Sequence, residues 1–371
     1  MIDTLAFYNY LADNSIDFFA GVPDSLLADF CACIKANCRK SKNIITANEG
    51  NAVAMAAGYH ISTGKIGCVY MQNSGEGNAV NPLLSLADED VYSIPMLLII
   101  GWRGQPGKHD EPQHVKQGKV TCSLLDAMGI RYVVLSDNYK DELQAAIKYM
   151  NEQNSPFALV VQKGLFGPYK MEKESSEYAL TREDALKEII SRLTQDDVIV
   201  STTGKTSREI FEIREDNKQG HSNDFLTVGS MGHTASIAYG IAIGTDRNVW
   251  CIDGDGSLIM HMGSLGVIGS DIPDNFKYIV NDNNAHESVG GQPTCSKNID
   301  IPAILKACGF KDVIVAETAE QIRAGIERLK RESGVAMVLH TKQGSRADLG
   351  RPTTTPQENK KALMKKLGAI K

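Results

Sequence analysis

The chain has 371 residues, enough for two domains at roughly 150 residues each. Its 39 Lys and Arg against 45 Asp and Glu give a formal charge of −6, which argues against a general nucleic-acid binder but leaves room for a local basic pocket. Apolar residues make up 42%, the balance of a globular protein, and the longest clearly apolar run, Met96 to Ile100, falls far short of the roughly 20 residues of a membrane span.

The N-terminal MIDTLAFYNY has neither a basic start nor an apolar core, so no signal peptide is expected. Short apolar runs bounded by Gly, Pro and Asn then follow: IDFFA, IGCVYM, MLLII, RYVVL and FALVV, with helical patterns between them. The polar segment GPYKMEKESSEYALTRED, opening at Gly167-Pro168, marks a boundary that divides the chain into 1–170 and 171–371. A second series follows: DVIVS, NVWCI, KYIVN, VIVAE and VAMVLH. From Lys342 onward the tail is polar and lacks a strand pattern. Continuous apolar strands separated by helices predict an α/β fold, each domain a mostly parallel sheet with helices on both faces. Eight scattered Cys without a CxxC pair fit reduced thiols in a cytoplasm.

The halves repeat one order of features. NEGNAVAMAAGYH, then IGCVYMQN, lead to Ser74-Gly75-Glu76-Gly77; GSMGHTASIAYGIA, then NVWCID, lead to Gly254-Asp255-Gly256. Two domains of one topology are expected. In open α/β sheets, ligands bind beyond the carboxyl ends of strands, and free N–H groups at the next helix favour a phosphate. Asp255 is either a plain helix-capping residue or a Mg²⁺ ligand. Asn283 lies 28 residues later, one helix and one strand on, which brings both oxygens to one sheet edge. With a backbone carbonyl near Ala285 they would form a hard-oxygen set suited to Mg²⁺ and a diphosphate.

GDGS followed by a strand ending in Asp282-Asn283 resembles the diphosphate and Mg²⁺ motif of thiamine-diphosphate enzymes of the pyruvate decarboxylase and acetolactate synthase type. GSMGHTASIAYGIA is similar to the helix before that motif, and NEGNAVAMAAGYHISTGKIGCVYMQNSGEGNAVNPL to the pyrimidine-binding domain. The middle domain of the large members is missing. FFAGVPDSLL, IGWRGQPGKHDEPQH, STTGKTSRE, NAHESVGGQPT and GSRADLGRP resemble the members that decarboxylate a phosphonate-bearing 2-oxo acid in phosphonate biosynthesis, and next those that take a sulfonate.

The resemblance implies a first, pyrimidine-binding domain and a second, diphosphate-binding domain. It also implies thiamine diphosphate and Mg²⁺ as cofactors, a small 2-oxo acid substrate, and a homo-oligomer with cofactor sites between subunits. Glu49 would bind the pyrimidine; Met231 would be the apolar wedge beneath the bent cofactor, beside the Gly229 carbonyl. Ser74, Gly75, Gly254, Gly256 and Ser257 would line the cofactor, and Asp255, Asn283 and Ala285 would hold the metal. Asp24, His114 and His286 are the further catalytic candidates. A dianionic phosphonate needs cations, for which Arg103, Lys108, Lys116, Lys205, Arg346 and Arg351 are available.

TTGKTS lacks the distal Gly of a phosphate-binding loop, since position 199 is Ile, and AGVPDS lacks the dinucleotide-binding pattern. A catalytically silent regulatory subunit is disfavoured because Glu49, Asp255 and Asn283 are all present. The missing middle domain disfavours an acetolactate-synthase-like ligase.

Overall fold

The apolar runs of the first half form strands of one parallel sheet in the computed structural model, which describes residues 1–170 and 176–371. The strands are β1 (Phe19–Gly21), β2 (Asn43–Ile45), β3 (Gly67–Gln72), β4 (Met96–Gly101), β5 (Arg131–Val134) and β6 (Phe157–Val161), in the order β2-β1-β3-β4-β6-β5. The second sheet holds β7 (Val198–Ser201), β8 (Asp224–Leu226), β9 (Val249–Gly254) and β10 (Phe276–Asp282). After a short hairpin of β11 (Ala285–His286) and β12 (Gln292–Pro293), it is completed by β13 (Asp312–Ala316) and β14 (Val335–His340). Its order is β13-β14-β10-β9-β7-β8. Counted along the chain and read from the other edge, this is the same permutation as in the first sheet. The expected pair of parallel α/β domains with one topology is therefore present.

The chain divides into two compact units, Met1–Lys173 and Glu174–Lys371. The expected boundary between 170 and 171 adjoins residues 171–175 and lies outside the described residues.

Both faces of the first sheet are apolar because successive strand residues point to opposite sides. Cys68, Tyr70, Leu97, Ile99 and Leu159 join Phe7, Phe30 and Phe166 on one face. Val69, Met71, Leu98, Ile100 and Val160 meet Ala52, Val53 and Ala56 on the other. Within the two six-stranded sheets, two strands, β2 and β8, were not expected. Each is a three-residue strand at or beside its sheet's edge, too short to carry a periodic signal. No described helix is long and apolar enough to cross a membrane.

Candidate active site

In the first unit the candidate residues collect beyond the carboxyl ends of the strands. Asp24 follows β1, Glu49 follows β2, Ser74 and Gly75 follow β3, and Arg103 follows β4. The Asn48 side chain accepts from Asn51 N at 3.0 Å and starts the helix Glu49–Thr63, so Glu49 occupies its first position. Its carboxylate is buried, accepts from Asn78 Nδ2 at 2.7 Å, and lies against Gly75. Burial raises its pKa above the ordinary carboxylate value, opposed by the bond from Asn78.

Asp24 is wholly buried against Gly101, where a Cβ would come within 2.2 Å of Oδ2. Its Oδ2 accepts from Leu26 N at 3.0 Å, while Oδ1 has no hydrogen-bond partner. Burial pushes its pKa up to about 6 despite the Arg103 charge. Arg103 forms a two-pronged pair with Asp110 at 2.8 and 2.5 Å and donates to Ser25 at 2.7 Å. Asn73 fastens β3 to this loop by bonding both Arg103 N and Arg103 O. His114 is buried with an unpartnered Nδ1, and burial followed by the Arg103 charge lowers its pKa to about 4. Ser74 Oγ accepts from Gln72 at 2.5 Å. Lys108 and Lys116 are exposed.

In the second unit, β9 and β10 pair Gly254 with Asn281, so the chain leaves adjacent strands at Asp255 and Asn283. Met231 and His286 converge on Gly256: a Cβ there would lie 3.3 Å from Met231 Cε and 3.0 Å from His286 Nδ1. Burial lowers the His286 pKa to about 4. The turn carrying Gly229 and Met231 is tied to Ser257, whose Oγ accepts from Gly232 N at 3.1 Å.

Asp255 is buried, and Oδ2 accepts from Thr294 at 2.5 Å and Ser296 at 3.2 Å. Burial, then the nearby Asp282, raises its pKa. Asn283 Oδ1 accepts from Ala285 N at 3.1 Å, and its Nδ2 donates to Glu287 at 2.9 Å. Asn284 adopts φ 59°, a left-handed conformation that Asn tolerates better than most residues, and so turns the chain sharply between Asn283 and Ala285. Among the described residues no three His, Cys, Asp or Glu cluster as a metal site. The available set is instead a carboxylate, an amide oxygen and a backbone carbonyl. A buried carboxylate with no described Lys or Arg in an ion pair suits a bound cation.

Among the remaining basic candidates, Lys205 pairs with Glu287 at 3.0 Å. Arg346 pairs with Glu183, Glu212 and Asp348, and Arg351 is exposed. Asn78, Glu287, Thr294 and Ser296 escaped sequence reasoning. Glu287 lies one turn from Asn283, but Asn78 reaches Glu49 across 29 residues and Thr294 and Ser296 reach Asp255 across 39 and 41, and none has a motif of its own.

Two family models match the chain: "Thiamine pyrophosphate enzyme, N-terminal TPP binding domain" over residues 4–133 and "Thiamine pyrophosphate enzyme, C-terminal TPP binding domain" over 202–340. A phosphonopyruvate decarboxylase of Streptomyces viridochromogenes is 34% identical over 360 residues, covering 91% of this chain and 88% of that protein. A sulfopyruvate decarboxylase of Methanosarcina acetivorans is 27% identical over 86% of both chains. A sulfopyruvate decarboxylase subunit alpha of Methanocaldococcus jannaschii is 34% identical, covering 47% of this chain and all of that protein.

Proposed function

The chain belongs to the thiamine pyrophosphate enzymes, and from that premise we propose that it converts 3-phosphonopyruvate to phosphonoacetaldehyde and CO₂ with thiamine diphosphate and Mg²⁺. The observation that carries the chemistry is a buried carboxylate at the carboxyl edge of each sheet, Glu49 in the first and Asp255 in the second. The choice of substrate rests on the 34% identity to a phosphonopyruvate decarboxylase across nearly the whole chain. The sulfonate analogue is the second reading, supported by the relative at 27%.

Thiamine diphosphate, when bound, supplies the electron sink that lets the substrate carboxylate leave as CO₂. Glu49, whose pKa burial raises, would hydrogen-bond the pyrimidine ring as an acid–base partner. Met231 provides apolar support, and Gly254, Gly256 and Ser257 line the diphosphate. Asp255, Asn283 and the Ala285 carbonyl hold Mg²⁺ through hard oxygens. Asp24, with a pKa of about 6, can take up or release a proton close to neutral pH. Burial keeps His114 and His286 neutral near pH 7, so each can donate a hydrogen bond from one ring nitrogen and accept one at the other. Arg103, Lys205 and Arg346 each hold a carboxylate. A phosphonate bound by any of them would replace or join that partner.

The active form is a homo-oligomer with cofactor sites between subunits. This reading is supported by exposed apolar side chains, Met55 and Ile61 on the Glu49 helix and Ile243 and Val267 in the second unit. A cytoplasmic location fits eight free cysteines. The test is a steady-state comparison of phosphonopyruvate, sulfopyruvate and pyruvate, on chelator-treated protein with thiamine diphosphate and Mg²⁺ returned singly and together. Phosphonopyruvate should give the highest kcat/KM, and only with both cofactors. A preference for sulfopyruvate would move the assignment to the second reading.

A further inference from the structure

A metal site needs its ligands aimed as well as present. An amide binds a cation only through its oxygen, and a carboxylate binds best when its other oxygen is held elsewhere. Both conditions are met by one excursion of the chain, residues 284–296, which turns back through the β11–β12 hairpin. On the outgoing side, Glu287 Oε2 accepts from Asn283 Nδ2 at 2.9 Å. Turned over, the amide would set its oxygen against that carboxylate, so the observed orientation is the stable one. Glu287 keeps its negative charge at low cost because Arg182 Nη1 lies 2.9 Å from one oxygen and Lys205 Nζ 3.0 Å from the other. Arg182 is itself anchored by both oxygens of buried Glu209 at 2.7 Å.

On the returning side, Thr294 N donates to Asn284 O at 3.1 Å, which places the Thr294 hydroxyl 2.5 Å from Asp255 Oδ2. Ser296 Oγ reaches the same oxygen at 3.2 Å and Asn284 Oδ1 at 3.0 Å. Oδ2 is thus held by the Thr294 hydroxyl, with the single Ser296 proton divided between it and Asn284 Oδ1, and Oδ1 of Asp255 is the oxygen left to bind a cation.

We propose that Thr294 and Glu287 are positioning residues that set the divalent-cation affinity, Thr294 by fixing the Asp255 carboxylate and Glu287 by fixing the Asn283 amide. The proposal rests on the reading that Asp255, Asn283 and Ala285 hold Mg²⁺. Neither residue touches the reacting atoms. Their loss should therefore raise the Mg²⁺ concentration needed for half-saturation much more than it lowers kcat at saturating Mg²⁺.

The experiment titrates Mg²⁺ into full-length, metal-stripped protein at fixed thiamine diphosphate, followed calorimetrically and by activity. Thr294→Val keeps the shape and removes the donor. It should weaken Mg²⁺ binding about 10- to 100-fold, the usual range for such partners. Thr294→Ser restores the hydroxyl and should return affinity to within a few-fold of wild type. Glu287→Gln should weaken Mg²⁺ in the same direction as Thr294→Val. Should Thr294→Val fail to fold, Ser296→Ala, which removes the longer of the two bonds, is still expected to weaken Mg²⁺ several-fold. Wild-type affinity in whichever of these variants folds overturns the proposal. Equal loss in Thr294→Val and Thr294→Ser overturns the role of the hydroxyl. A wild-type protein that takes up no divalent ion instead overturns the metal assignment, so the two failures are distinguishable.

Discussion

Glu49 and Gly75 occupy one space: a Cβ at position 75 would lie 2.1 Å from Glu49 Oε1 and 2.4 Å from its carboxyl carbon. The backbone at Gly75 has φ −77°, open to any residue, so what excludes a side chain is the carboxylate. Gly75→Ala should therefore displace Glu49 while leaving the sheet intact. Thiamine diphosphate affinity should fall about tenfold or more by calorimetry, with far-ultraviolet circular dichroism unchanged. Unaltered affinity would mean that Glu49 does not bind the cofactor.

Glu49→Gln keeps the size and the contact with Asn78 but removes the titrating group. Turnover should drop by about 10² or more, the range for a positioned acid–base group, with a smaller change in cofactor affinity. Near-normal turnover would remove Glu49 from the chemistry.

Asp24 carries a stability cost. Its folded pKa, about 6, exceeds its ordinary value of 3.8. The native state therefore binds the proton more tightly, and stability is lost as pH rises from about 4 through about 6. Asp24→Asn should be more stable than wild type at pH 8, by up to about 3 kcal/mol at about 1.4 kcal/mol per unit. It should also lose at least tenfold in kcat. Denaturant titrations at pH 5 and pH 8 measure the first effect. A variant less stable at both values would contradict the sign.

Glu76 is the strongest case of this cost. It is buried, neither carboxyl oxygen has a hydrogen-bond partner, and burial pushes its pKa up to about 8. Its penalty grows as pH rises from about 4.5 to about 8. Glu76→Met fills similar space without a charge and should raise stability at pH 8 by a few kcal/mol, with little change at pH 4.5. Equal effects at the two values would show that Glu76 stays protonated throughout.

Arg346 meets three carboxylates, Glu183, Glu212 and Asp348. If it also receives the phosphonate, Arg346→Ala should lower kcat/KM for phosphonopyruvate at least tenfold more than for pyruvate. An unchanged ratio would leave it the task of fastening the tail to Glu183 and Glu212. Arg103 would then be the first alternative to examine.

The fold was legible because its information is local. Buried parallel strands need continuous apolar runs, and MLLII, FALVV and KYIVN announce themselves within five residues. The candidate cofactor motif was legible for the same reason, since Gly254-Asp255-Gly256 and Asn283 sit at the ends of two such strands. The strands β2 and β8 were not legible, because three residues at a sheet margin form only when a neighbour offers its backbone. Nor were the partners of the site. Arg103 and Arg346 read as cations awaiting a phosphonate, and the structure gives each of them carboxylates. Thr294 reaches Asp255 across 39 residues, and Arg182 reaches Glu287 across 105. The sequence by itself determined which strands are buried and which residues stand at their carboxyl ends. Only the tertiary structure decided which charges are compensated, which carboxylates are left alone in the interior, and which ligand oxygens are held, because those depend on distances between segments that no local pattern encodes.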